Sequence, residues 1–449
     1  MRKLFRNQLL LGLALMAVAV LAGAQTDAKN DDLSTYDSLV SAMPPFPPPA
    51  MTVTWDDCVA LAARKNPTLV ASEYAQAASR ATYISSYDGI MPSVALTNTY
   101  SRNNTINGVA VGQQQTYEAA ATANWNIFSM AQVASIRSAG ASYSQAQANL
   151  RLASATLRYN LFVAYVNAYF AARNIEVNKQ ILAIEKKNAE EVALRYSSGD
   201  EYKGSMMNAN ALYLGQLINV SQAERSWRAA VASLDQQLGF DEFTQVAVTG
   251  TIVAQQPPNF PANMSQYLAI RPDVAVQEAV VKSARASLAS AEAPLYPTFS
   301  GTYSRYRENP WEFPTQRLWT VGATLSYPIF GSGPISVLYN VKSAKNTLAN
   351  QENTLRAVRV AAVANLESTW ASYANAVDQA VGQLALTVSY RQRNTEGEVR
   401  YASGLLSFDN YQVIITQWVS AEQSLLSAQQ QAVTAQAAWE QSLGKALGE

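Results

Sequence analysis

The chain has 449 residues, about half of them apolar, with 33 Lys and Arg balanced by 33 Asp and Glu and with no histidine. A zero formal charge removes the basic surface that phosphate backbones require, so nucleic acid is excluded as the natural partner. The absence of histidine takes away the commonest general base and metal ligand, and the single cysteine, Cys58, can form neither an internal disulfide nor a thiolate cluster.

The chain opens with Arg2, Lys3 and Arg6, an apolar run from Leu9 to Leu21, and Ala22-Gly23-Ala24. That order predicts a secretory signal peptide over 1–24, and the run is short for a bilayer span. Residues 25–53 read as an extended leader carrying the Pro-rich run Pro44 to Ala50. A first repeat is expected over 54–240. It begins with a helix over about 55–90, capped by Thr54, started by Asp56 and Asp57, and turned or kinked at Pro67.

Two alternating stretches follow. Ser93 to Arg102 ends in Tyr100. In Thr116 to Ile127, one face carries Tyr117, Ala119, Ala121, Ala123, Trp125 and Ile127 and the other is mostly polar. Next comes a helix over about 129–197, proline-free in its interior and on the order of 100 Å long, and then another over about 205–238. Residues 241–264 read as a linker.

The second repeat, 265–449, is written on the same plan. Asn66-Pro67 answers to Arg271-Pro272, Met91-Pro92 to Tyr296-Pro297, Trp125 to Tyr327, Arg195-Tyr196 to Arg400-Tyr401, and Leu238-Gly239 to Leu443-Gly444, at spacings of 202 to 205 residues. Five matches in one order indicate tandem duplication. The helices are expected over about 265–292, 334–402 and 408–446, with strands over Thr298 to Arg307 and around Trp319 to Ile329. Tyr100, Tyr117, Trp125, Tyr303, Trp319 and Tyr327 lie where a strand crossing a bilayer places its interface aromatics. A lipid-exposed sheet has no free edges, and closed membrane barrels need about eight strands or more. Four strands per chain therefore imply that several chains share one barrel.

An exported chain with two halves of helix, strand, strand, long helix and helix resembles the TolC family of outer-membrane efflux proteins. The resemblance rests above all on Ile270 to Ser304, Leu325 to Gly333 ("LSYPIFGSG") and Glu398 to Gln412 ("EVRYASGLLSFDNYQ"). It implies a mainly α fold with a small β part: a trimeric membrane β-barrel of four strands per chain, twelve in all, continuing into a long periplasmic helical barrel. It further implies a passive exit duct serving a tripartite efflux pump or type I secretion system. Its partners would be two further copies of the chain, a periplasmic adaptor, an inner-membrane pump or ABC exporter, and outer-membrane lipid.

The pentapeptides "RYSSG" and "RYASG" would then lie at the periplasmic tip, where Gly199 and Gly404 turn each long helix back. The tip and gate residues implied are Arg195, Tyr196, Gly199, Asp200, Glu201, Arg400, Tyr401, Gly404 and Asp409. The family's acidic partner for the residue matching Tyr401 is Ser205 here, and its inner acidic ring falls on Asn410 and Val413, with Asp409 adjacent.

"GSGP" at Gly331 to Pro334 lacks the Lys-Ser/Thr of a phosphate loop and reads as a helix start with Ser332 as N-cap. Met206 and Met207 stand near the tip without a cysteine or histidine beside them, and no metal site, cofactor or catalytic constellation is expected. The alternative reading is a trimeric coiled-coil structural protein or adhesin of the cell surface, without transport.

Overall fold

The computed structural model describes residues 51–106, 109–260, 264–309, 315–327 and 333–448. The signal peptide, most of the leader and the start of the "GSGP" segment lie outside these residues. In chain order the first half contains β1 (Met51–Val53), α1 (Trp55–Lys65), α2 (Pro67–Ser85), β2 (Ser93–Ile106), β3 (Val109–Phe128), α3 (Met130–Ser198) and α4 (Lys203–Leu238). After β4 (Val246–Val248) the second half repeats it with α5 (Met264–Ile270), α6 (Pro272–Glu292), β5 (Thr298–Asn309), β6 (Gln316–Ser326), α7 (Pro334–Ala402) and α8 (Phe408–Ser442).

The helices α3 and α7 each run for 69 residues. Both carry buried positions at seven-residue spacing; in α7 these include Leu366, Tyr373, Thr387, Asn394 and Tyr401. Buried alanines recur in α3 every seventh residue, at Ala134, Ala141, Ala148 and Ala155, and nearer the tip Asn178, Glu185 and Val192 are buried at the same spacing on a series offset by two residues. In α8 the same spacing buries Tyr411, Trp418, Leu425, Ala432 and Trp439. A seven-residue repeat keeps one stripe facing a partner helix only when the pair winds left-handedly, so the sequence specifies long supercoiled hairpins. Accordingly α3 packs on α4, α7 on α8, and α3 also on α6 and α8.

Each helical hairpin turns through the same hydrogen bonds. At Gly199 (φ 87°) the amide of Asp200 donates to Arg195 O at 2.9 Å and that of Gly199 to Tyr196 O at 3.1 Å. In the second half Leu405 N donates to Arg400 O at 2.9 Å and Gly404 N to Tyr401 O at 3.0 Å. This is the Schellman arrangement, and it accounts for the glycine that closes Arg-Tyr-x-Ser-Gly both times: the amides beyond the helix satisfy two of its last carbonyls, and glycine takes the left-handed residue.

At the other end of the helices the two halves also match. Asn66 caps α2 by accepting from Thr68 N (3.0 Å) and Leu69 N (3.1 Å), while its Nδ2 donates to Gln237 O in α4 at 2.9 Å. Arg271, at the equivalent break, donates to Ser442 O in α8 at 2.8 Å and to both oxygens of Asp273. Both ties span 171 residues, so the duplication is visible as a hydrogen bond.

Four strands form one antiparallel sheet in the order β2-β3-β5-β6, in which the pairing of β3 with β5 joins the halves. The register divides its residues between two faces. One carries Val94, Leu96, Tyr100, Tyr117, Ala121, Trp125, Tyr303, Trp319 and Val321, and the other Thr97, Glu118, Thr122, Ser304 and Thr320. Among the described residues no helix is long and apolar enough to cross a membrane.

Several elements differ from the sequence-based expectation. The expected helix over about 55–90 is two helices and a short 3-10 turn, because Pro67 lacks an amide donor and starts a new helix at Asn66. The helix over about 265–292 breaks likewise at Arg271-Pro272. The strands run further than their clean alternation, with β2 reaching Ile106 and β3 beginning at Val109. The cap position of α7 is Gly333 (φ 78°) without a side-chain cap, rather than Ser332, which lies outside the described residues. Finally, the expected leader and linker each hold a three-residue strand, β1 and β4, paired in parallel.

A methyl group added at Gly239 (φ 79°) would stand 2.3 Å from Lys65 O, whereas one at Gly199 would meet nothing within 4 Å. Gly239→Ala is therefore expected to cost about 3 kcal/mol or more, and Gly199→Ala only about 1 kcal/mol, the left-handed penalty alone. Thermal unfolding of the two variants checks this; equal losses would contradict the packing at the α1–α2 break.

Candidate functional site

The two helical turns come together at one end of the molecule, and the side chain that joins them is Arg195. It leaves the last turn of α3 with its guanidinium 4.5 Å from the centre of the Tyr401 ring. Its Nη2 donates to Tyr401 O at 2.9 Å and Ala402 O at 3.1 Å, and pairs with Glu191 Oε1 at 3.1 Å. A planar cation with a rigid fork of donors suits this position, since it stacks on a ring and caps helix carbonyls together. The arginine of the first pentapeptide thus holds the helix end formed by the second.

Tyr401 is 1% exposed and stacks on Tyr411 of α8, with ring centres 4.9 Å apart and planes at 17°. Phe408, Val192, Tyr213 and Ile415 complete the cluster. Burial pushes the Tyr401 phenol up to about 12, although the Arg195 charge pulls the other way. Its hydroxyl finds no hydrogen-bond partner among the described residues. This accords with Ser205 standing where the resemblance placed an acid: Ser205 lines the same hollow without reaching that hydroxyl.

The hollow beside the clasp has a volume of about 950 Å³ and an acidic lining that includes Glu191, Asp200, Glu201 and Asp409. Asp200 accepts from Ser198 Oγ at 3.1 Å, and Glu201 accepts from the amide of Tyr202 at 3.1 Å. Asp409 lies exposed in the first turn of α8, next to exposed Asn410. Arg400 is exposed in the last turn of α7, and its backbone carbonyl takes part in the turn. Tyr196 is half in solvent, while Tyr202 and Leu405 are largely exposed beside the two turns.

One buried polar group near the tip was not singled out from the sequence. Glu185 is 6% exposed on the α3 seam, with Asn188 and Gln412 as hydrogen-bonding neighbours. Asn188 Nδ2 also donates to Gln412 Oε1 at 3.3 Å. Burial raises the Glu185 carboxyl above its ordinary value, against those hydrogen bonds. Its seven-residue spacing from Asn178 and Val192 is the signal that marks it as inward-facing. Outside this group, Lys187 bridges α3 to Glu398 of α7 at 2.5 Å.

At the sheet, Tyr100 and Tyr117 pair across β2 and β3 with ring centres 4.8 Å apart, about midway along β2, which runs on to Ile106. Trp125 lies at the helical end, where its Nε1 donates to Ile90 O at 2.9 Å. Tyr303 sits midway along β5, in register with Ala123 and Val321, and Trp319 is opposite Arg305. Tyr327 follows the last residue of β6.

Among the described residues no three His, Cys, Asp or Glu side chains converge to hold a metal. Met206 packs on the tip cluster while Met207 is 49% exposed, so the two sulfurs do not share one environment. Cys58 is fully buried, its thiol pushed up to about 12 by burial, and it packs in the core at the other end of the hairpins.

The family model described as outer membrane efflux protein matches residues 59–240 and 263–445. The chain belongs to the outer membrane efflux protein family. The two matched segments are the two halves of the fold. Membership of this family makes the protein an outer-membrane efflux protein. Among solved structures, the chain is similar to the outer-membrane channel OprN, with a TM-score of 0.78 and 17% identity over 87% of this chain and 90% of that one. It is similar to the Campylobacter jejuni CmeC outer membrane channel, with a TM-score of 0.77 and 15% identity over 88% and 86%. It also resembles CusC, with a TM-score of 0.78 and 16% identity over 90% and 99%. At these identities the likeness establishes the fold. No curated protein sequence matches the chain.

Because the folded-state pKa of Glu185 lies above the unfolded value near 4.5, the folded form binds the proton more tightly. The penalty for the buried charge is absent below that value and grows as pH rises through the folded pKa. Amides of α3 around Glu185 should therefore exchange more slowly at pH 5 than at pH 8 after correction for intrinsic rates, and Glu185→Gln should flatten the difference. An unchanged pH dependence in that variant would contradict the assignment.

Proposed function

We propose that this efflux-family protein is the passive exit duct of a tripartite efflux pump or type I secretion system, trimeric and gated at its tip. Three four-stranded sheets joined edge to edge give twelve strands, a closed barrel with no unpaired backbone in lipid. The paired 69-residue helices then run on as a tube through the periplasm, far enough to meet components of the inner membrane.

The observation that carries the gating role is the Arg195 clasp. It binds one hairpin end to the other through a stacked ring and two carbonyls, so a hairpin cannot swing outward without breaking it. Opening is a shift between two packings of the tip. A periplasmic adaptor that binds the outward form better, using exposed Tyr202 and Leu405 beside the turns, would draw the equilibrium that way. Energy comes from the inner-membrane pump or ABC exporter.

Two substitutions separate the clasp from the lock implied by resemblance. Arg195→Ala removes the cation from Tyr401 and the two hydrogen bonds that Arg195 gives to the Tyr401 and Ala402 carbonyls, and should raise single-channel conductance in planar bilayers severalfold. Tyr401→Phe removes only a hydroxyl that lacks a partner, and should leave conductance near that of the unmodified protein with stability unchanged or raised by about 1 kcal/mol. Wild-type conductance in Arg195→Ala would exclude the clasp as the gate.

A further inference from the structure

The apolar face of the sheet is not uniformly apolar, and its exceptions have one sign. Arg305 and Arg307 of β5 and Arg317 of β6 all lie on it, and Arg307 is directly opposite Arg317 in the pairing register. Arg102 of β2 shares that face further toward the outer end. Arg305, Arg307 and Arg317 are exposed. The two acids of the strands, Glu118 and Glu308, pair with each other on the opposite, polar face. The outer half of the sheet therefore separates its charge: guanidinium groups on the face with Leu96 and Val321, carboxylates on the face with Thr122 and Ser304.

Such a face is costly in lipid unless the cations reach counter-charge. Arginine on the lipid side of a barrel strand is most unfavourable at mid-membrane and tolerated near the interface. Arg307 lies eight residues beyond Phe299, which shares a row with Leu325 at the helical end. On a tilted strand that is roughly 20 Å, close to the top of an apolar band about 25 Å tall. Arg305 sits one pleat lower, within reach of the same level because its stem can lie along the apolar surface while its head rises. Three forked donors at one height, on adjacent strands, suit phosphate oxygens.

We propose that Arg305, Arg307 and Arg317 form a docking site for the phosphorylated headgroup of an outer-leaflet lipid, a phosphorylated glycolipid being the chemistry that fits. The site rests on the reading of these strands as the membrane-facing part of the duct. Bound headgroups would girdle the outer rim of the sheet and fix its height in the bilayer, with Trp319 and Tyr303 below them among the acyl chains.

The test uses the full assembly in detergent, titrated with lipid A and read by native mass spectrometry. Replacing all three arginines by glutamine should weaken lipid A binding by about a hundredfold. Replacing all three by lysine should retain most of it, which also answers for a folding defect in the glutamine variant. Glu118→Gln with Glu308→Gln, on the other face, should not reduce binding.

Equal affinity in the glutamine variant would overturn the site. So would equal binding of lipid A stripped of its phosphates. If inorganic phosphate at matched concentration displaced the lipid completely, the assignment to a lipid headgroup would fall. A wild-type chain missing from the outer-membrane fraction would overturn the underlying reading and the site with it, whereas correct fractionation with unchanged lipid binding would sink the site alone.

Discussion

A β-sheet in lipid cannot leave an edge unpaired, because no water is present to satisfy the exposed amides and carbonyls. Among the described residues the antiparallel sheet has four strands, ordered β2-β3-β5-β6, with β2 and β6 as its edges. Much of the remaining design follows from that constraint. The duplication supplies two hairpins per chain, and the β3–β5 pairing welds them into one sheet. The same duplication gives two long helical hairpins, so in the proposed assembly a shared barrel entails a shared helical tube.

The helical hairpins that would form the proposed tube wall reflect a second choice. Alanine at seven-residue intervals allows close helix packing with little side-chain entropy to lose, while larger side chains at the same spacing in α8 fill the wider gaps. Near the tip the seam changes character, since Asn178, Glu185 and Asn188 replace alanine among buried positions. Buried polar groups with incomplete partners weaken packing locally. The region asked to move in the proposed function is thus the one where the helical seam is least apolar, and the Arg195 clasp closes it from the end.

Much of this architecture was legible from residue spacing. Proline-free stretches marked both long helices to within a residue or two at each end, and the paired pentapeptides located their turns. Alternation located the strands but not their full length, because the outer parts of β2 and β3, "SRNNTI" and "VAVGQQQT", do not alternate apolar with polar residues. The strands β1 and β4 were missed since three residues cannot show alternation. Pro67 was read as a turn or kink and is the first residue of a separate helix, capped by Asn66, whose side chain also reaches Gln237, far away in sequence. At the tip, sequence singled out Arg195 and Arg400 equally. Only the packing of α3 against the end of α7 decides that Arg195 lies on Tyr401. The strand arginines were visible in sequence, yet their common face needed the cross-strand register.

The central claim is that neighbouring copies complete the sheet, with β6 of one pairing to β2 of the next. Cysteines placed in turn along β2 and β6, in a Cys58→Ala background, and oxidised in intact outer membranes measure this directly. The account predicts a periodic set of positions giving dimers and trimers on a non-reducing gel, with the trimer as the largest product. Crosslinks that form only within a chain, or none at any position, would contradict it.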